Sequence, residues 1–107
     1  MTAARAAVIY TPLPDAECAR DIAGTLLDEG LIACANILGP VEAVFLWNGK
    51  RESASEVGVL FKTSECAVDQ AVDRLGKLHP YETPAIVANV CSHAHADTLD
   101  WLASLTH

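Results

Sequence analysis

From Ala6 to Tyr10 the chain is apolar without interruption and then meets Thr11-Pro12. Proline has no N–H to give to a ladder, so the pattern predicts a short buried strand that stops there. The period then changes. Ala19, Ile22, Ala23, Leu26 and Leu27 recur at the three-and-four spacing of one helical face, with Pro14-Asp15 supplying an N-cap and Gly30 a stop. Next come two runs rich in Val, Ile, Leu and Phe, Ile32 to Trp47 and Glu52 to Thr63, on either side of Asn48-Gly49. Asn-Gly tolerates the two positive-φ positions of a type I′ turn, so these runs read as the arms of a β-hairpin. With those two residues as the loop, Trp47 faces Lys50, Phe45 faces Glu52 and Ala43 faces Ala54. Each arm has roughly a dozen residues or more and spans about 40 Å at ~3.3 Å per residue. A compact chain of this length has a radius of gyration of about 13 Å, so the ribbon overreaches its own domain. Gly39-Pro40 predicts a bulge or bend within the first arm.

Beyond the hairpin, Ser64 is placed to cap a second helix carrying Val68, Ala71, Val72 and Leu75, whose last turn Gly76 weakens. Lys77 to Pro84 contains two prolines, each pushing the residue before it out of the α region, which predicts an ordered, extended loop. Ala85 to Cys91 is the last strand. Asp97 to Leu105 is a terminal helix presenting Leu99, Leu102 and Leu105, with Trp101 beside them. The order β-α-β-β-α-β plus a final helix, with right-handed crossovers placing both inner helices on one face, predicts an α+β ferredoxin-like βαββαβ sandwich. Residues 1–107 are read as a single domain.

Composition narrows the function classes. Hydrophobic residues make up 51% of the chain and aromatics only 6%, so the core is aliphatic. The net charge of −7, from 14 acidic and 7 basic residues, and the absence of any basic cluster beyond Lys50-Arg51 disfavour a nucleic acid or an anionic membrane as partner. The apolar stretch from Leu31 to Trp47 is broken by Asn36, Gly39, Pro40 and Glu42, which argues against a membrane span. Cys18, Cys34, Cys66 and Cys91 are scattered, without a CxxC or zinc-like spacing, and the N-terminal residues lack a signal-peptide pattern. Free thiols in the cytoplasm are the expectation.

Among chemistry-bearing residues, His79 stands first. It lies on the proline-stiffened loop three residues from Glu82, and its imidazole can ligate a metal, move a proton or hydrogen-bond the loop to the sheet together with Tyr81. Glu56 and Lys62, six apart on one strand, share a face and would line one cleft or form a buried ion pair between subunits. Cys34 and Asn36 also share a face, and Cys34 is the best-placed thiol. His93 and His95 form an H-x-H near the terminal helix, read as surface histidines. Trp47 at the hairpin tip marks a protein interface. No GxGxxG, P-loop or HExxH motif points to an enzyme.

Ala33-Cys34-Ala35-Asn36-Ile37, Trp47-Asn48-Gly49-Lys50, Glu56 through Lys62-Thr63, His79-Pro80-Tyr81-Glu82-Thr83-Pro84 and Trp101-Leu102 together resemble, in order and spacing, the CutA divalent-cation tolerance proteins. The resemblance implies a ferredoxin-like subunit in a tight homotrimer, cytoplasmic in bacteria, linked to tolerance of divalent metals and to copper binding; the trimer also looks like that of PII signalling proteins. Three positions depart from the family pattern. Ala43 and Phe45 stand where members often carry Ser and Tyr, and Tyr10 stands where some carry a strand-end Cys proposed as a copper ligand, which weakens the case for a soft Cu(I) site. The expectation is therefore a non-enzymatic, homotrimeric metal-response protein. Copper or another divalent metal ion would be held near the subunit boundary by His79, Glu82, Glu56 and Cys34. Two alternatives stand beside it: a PII-like signalling or scaffold trimer, taking a small anionic metabolite through Lys62 and a partner protein at the tip, and an enzyme using a Cys34/His79 pair.

Overall fold

The computed structural model describes residues 4–107. The elements run β1 (Ala6–Leu13), α1 (Ala16–Asp28), β2 (Cys34–Trp47), β3 (Lys50–Ser64), α2 (Val68–Leu78), β4 (Val87–Val90) and α3 (Ala96–Leu105). The four strands form one antiparallel sheet in the order β2-β3-β1-β4, the ferredoxin-like arrangement expected from the sequence.

Period two sorts the side chains of β1. Ala7, Ile9 and Leu13 pack with Val59 and Phe61 of β3 against Ala19, Ile22, Ala23 and Leu26 of α1 and Val68, Ala71 and Leu75 of α2. That layer is the main core. α3 does not join it: Leu102 packs with Ala6 and Ala33 in a separate cluster. Since Ala6 alternates with Ala7 along β1, α3 sits against the opposite face of the sheet.

Several boundaries differ from the sequence expectation, each for a local reason. β1 does not stop at Thr11 but continues through Pro12 to Leu13, with Pro12 paired to Gly58 and Leu13 to Val57. The missing proline donor is tolerated because the β4 ladder on that side ends at Tyr10, leaving no bond for it to break. Ser64 ends β3 and does not cap α2, whose N-cap is Ala67 without a side-chain bond. The Ser64 hydroxyl instead hydrogen-bonds the Thr106 hydroxyl at 2.7 Å, tying the end of α3 to the sheet. α2 runs through Gly76 to Leu78, and β4 is shorter than Ala85 to Cys91. Asp15 does cap α1, accepting from the Cys18 N–H at 2.8 Å.

The hairpin matches its predicted register. Trp47 pairs with Lys50, Phe45 with Glu52 and Ala43 with Ala54, while Asn48 and Gly49 have φ of 52° and 76° as a type I′ turn requires. The pairing slips between Ile37 and Gly39, and Gly39 takes a φ of 97°, so the bulge falls where Gly39-Pro40 announced it. Because β1 pairs with β3 only as far as Val57, the segment from Glu56 to the tip has, among the described residues, no strand beside it except β2. This two-stranded overhang accounts for the 50 Å long axis, against 26 and 22 Å in the other directions.

Candidate functional site

The site is built outward from a buried threonine. Thr11 falls on the core side of β1 and is fully buried. Its hydroxyl donates to the Ala85 carbonyl at 2.7 Å, leaving a lone pair for His79 Nε2 at 3.0 Å. Nε2 also lies 3.1 Å from the Pro12 carbonyl, which can only accept, so Nε2 carries the ring proton. Nδ1 is then the acceptor, and it takes the Tyr81 N–H at 3.2 Å. His79 owes this position to its neighbours. Its own N–H closes α2 on Leu75 at 2.8 Å, and Pro80 holds it at an extended φ and ψ of −65° and 133°. The ring is buried, and burial lowers its pKa below the ordinary value, so it is neutral at pH 7.

Tyr81 carries the connection to the hairpin. Its ring sits 4.8 Å from that of His79, tilted by 56°, and its hydroxyl donates to Glu56 Oε2 at 2.7 Å. Burial, then the bond to Glu56, pushes the phenol pKa up to about 12, so the hydroxyl keeps its proton and acts as donor throughout the neutral range. Glu56, at 9% exposure, stands where β3 leaves the sheet and enters the overhang. Loop and ribbon are thus braced by one chain of hydrogen bonds, from Ala85 through Thr11, His79 and Tyr81 to Glu56.

Between them lies a groove of about 450 Å³. Pro12 contributes from β1, Phe45 and Trp47 from β2, Glu56 from β3, and Tyr81 and Glu82 from the loop; no lysine or arginine lines it. By the strand period Ala43, Phe45 and Trp47 share a face of the ribbon, and the Val41–Glu56 pairing places Glu56 on that face.

Of the four residues expected to hold a metal, the structure brings Glu56 and Glu82 to this groove, sets His79 behind Tyr81 with both ring nitrogens engaged, and puts Cys34 elsewhere. Cys34 pairs with Lys62, six residues along β3 from Glu56, which is about 20 Å. Its sulfur faces Asn36 Oδ1 at 4.0 Å. Among the described residues no group of three or more His, Cys, Asp or Glu side chains could hold a metal ion, so the four do not form a centre within this chain. The same separation leaves no Cys34/His79 pair. Nor is Glu56 paired with Lys62 within the chain, since its partner is Tyr81. His93 bonds Ser92 at 2.9 Å and His95 caps α3, accepting the Asp97 N–H at 3.1 Å; both are structural positions on the surface. Sequence reasoning did not find Thr11, because nothing in its neighbours signals that a threonine before a proline will receive an imidazole. Tyr81 was legible as a loop-to-sheet contact, but its partner Glu56 was not.

Comparison with known proteins gives a consistent result. A family profile described as "CutA1 divalent ion tolerance protein" matches residues 7–105. The "Divalent-cation tolerance protein CutA" of Pyrococcus horikoshii is 41% identical over 99 residues, covering 92% of this chain and 96% of that protein. The crystal structure of the divalent ion tolerance protein CutA1 from Ehrlichia chaffeensis superposes with a TM-score of 0.92 at 30% identity, covering 99% of each chain. CutA1 from Oryza sativa gives a TM-score of 0.92 at 29% identity over 100% of this chain and 98% of that one.

Proposed function

Since the chain belongs to the CutA1 divalent ion tolerance family, we propose that it is a non-enzymatic divalent-cation response protein that works as a homotrimer in the cytoplasm and takes copper or another divalent ion. The observation that carries the cation reading is the groove itself: two carboxylates, Glu56 and Glu82, and no basic side chain. One subunit offers too few donors for a tight site, because a hard divalent ion takes about six oxygens and copper prefers nitrogen or sulfur. The remaining ligands would come from a second subunit. Assembly is supported by the overhang, where Val44, Phe45, Leu46 and Trp47 stay 41 to 76% exposed on an unsupported ribbon. Closed rotational assembly covers such surfaces and pairs the edges of β2 and β4. The four cysteines are all free, which fits a reducing compartment. An anionic metabolite is not favoured in this groove, since its carboxylates repel anions and Lys62 lies about 20 Å away along β3.

Light scattering and calorimetric titration with copper test both parts. The expected results are a mass three times the 11.4 kDa of one chain and divalent-ion binding weakened in Glu82→Gln. A monomeric mass would remove the shared site, and titration heats equal to buffer for every divalent ion would end the metal reading.

A further inference from the structure

The groove is apolar across most of its wall and acidic at one deep point. Pro12, Phe45, Trp47 and the Tyr81 ring supply apolar and aromatic surface. Set into this wall, Glu56 is about nine-tenths buried as a residue, and among the described residues its side chain's hydrogen-bond partner is the Tyr81 hydroxyl alone. A neutral donor offsets only part of the cost of removing a carboxylate from water. Among the described residues no lysine or arginine makes up the difference: the ion pairs lie at Arg5–Glu65, Arg74–Glu29 and Lys77–Asp73, Arg20 is exposed on α1, Lys50 and Arg51 are exposed at the ribbon tip, and Lys62 stands six residues along β3, about 20 Å away. The groove therefore presents a buried negative charge, aromatic faces and a volume within the range of small-ligand pockets, roughly 300 to 1,000 Å³.

We propose that this groove binds a small organic monocation, an ammonium carried on an aromatic or aliphatic body. The headgroup would sit on the Glu56 carboxylate and the body against Phe45 and Trp47. Three features select this class. The ammonium supplies the charge and the N–H donors that Glu56 lacks. The faces of Trp47, Phe45 and Tyr81 attract a cation through their ring quadrupoles and accept apolar carbon at the same time. An inorganic ion of higher charge needs several oxygens around it, whereas an ammonium needs one carboxylate and an apolar seat. Glu82, exposed at the rim, adds negative potential that draws cations toward the mouth. Tyr81 acts here as a positioning residue: its hydroxyl holds one carboxylate oxygen so that the other faces the groove.

The proposal goes beyond the divalent-ion reading and does not depend on it, so the titration is run on the assembled full-length protein in excess chelator. Phenethylammonium is compared with phenethyl alcohol, its uncharged counterpart, and with phenylacetate, by calorimetry and by quenching of tryptophan fluorescence. The expected order is ammonium first, the alcohol at least about tenfold weaker for loss of the charged bond, and no binding of the carboxylate. Glu56→Gln should weaken the ammonium by a similar factor while leaving the alcohol unchanged. Trp47→Ala, used once light scattering shows that it keeps the mass of the unaltered protein, should weaken both. Equal binding of ammonium and alcohol would overturn the proposal, as would full ammonium affinity in a folded Glu56→Gln protein. Silence of all three compounds would also overturn it, because the groove would then be filled by a second copy of the chain. Should Glu56→Gln fail to fold, the charge selectivity of the unaltered protein together with Trp47→Ala still decides the question.

Discussion

Tyr81 is the residue through which the loop and the ribbon hold each other. Removing its hydroxyl leaves Glu56 largely out of water without its donor, a change that costs about 1–3 kcal/mol by the usual penalty for an unsatisfied buried acceptor. Tyr81→Phe should accordingly lower the urea midpoint, and the further change to Glu56→Gln in the same chain should recover part of the loss, since an uncharged amide is cheaper to leave half-paired. A second prediction concerns His79. Burial holds its folded-state pKa below the ordinary 6.5, so the unfolded chain takes up the proton more readily than the native one. The stability it contributes is complete above pH 6.5 and is lost as the pH falls through the lowered folded value. Protonation also turns Nδ1 from acceptor to donor, opposing the Tyr81 N–H that it accepts in the neutral form. Denaturation midpoints measured from pH 7.5 downward should fall more steeply for the natural protein than for His79→Ala. Parallel curves would show that another group governs the acid limb.

At the scale of elements, the hairpin is organised by its turn and its bulge. Asn48 and Gly49 both adopt positive φ, and Gly49 at 76° is the position where a side chain is strained. Gly49→Ala is expected to cost about 1–2 kcal/mol, the penalty of the left-handed region for an L-residue, and to lower the melting temperature without changing the fold. An unchanged melting temperature would mean that the tip contributes nothing to stability. The bulge has a different role. From Trp47 to Gly39 the partner numbers on β2 and β3 add to 97, and from Ile37 to Cys34 they add to 96. One extra residue, Leu38, is absorbed there. The slip keeps Cys34 and Asn36 on the face of Lys62 and Leu60 while the outer arm keeps Phe45 and Trp47 on the face of Glu56. Without it, one half of β2 would present the wrong side chains to its neighbours. The loop after α2 is organised as tightly, because Pro80 stops the helix at the residue whose ring then enters the sheet side of the molecule.

At the scale of the whole molecule, the 50 Å axis and the bare ribbon dominate. Leu46, 76% exposed, is the most exposed large apolar side chain of the overhang. If the ribbon is an assembly surface, Leu46→Glu should reduce the mass measured by light scattering toward that of a single chain, with helix content by circular dichroism preserved. A mass that does not change would place the contact surface elsewhere, with exposed Trp101 and Leu105 of α3 as the next surface to alter. The same substitution lies outside the groove lining, so ammonium binding by a Leu46→Glu protein of single-chain mass would show whether the groove is complete in one chain.

Local information was enough for the element order, the N-cap at Asp15, the turn at Asn48-Gly49 and the hairpin register, because each depends on residues adjacent in sequence or on strict alternation. It was enough for the site only where residues lie on one element: Glu56 and Lys62 share a face of β3, as period two requires. What joins different elements was decided by the fold alone. Thr11 and His79 are 68 residues apart and Tyr81 and Glu56 are 25 apart, and no spacing rule relates such pairs. They meet because β1 and β3 are neighbours in the sheet and α2 returns the chain to the end of β1. The same long-range geometry separates Cys34 from the groove and engages both ring nitrogens of His79, the protonated Nε2 as donor and Nδ1 as acceptor, which keeps the ring from ligand duty. A sequence names the side chains capable of a chemistry, whereas burial and hydrogen bonding determine which of them are free to perform it.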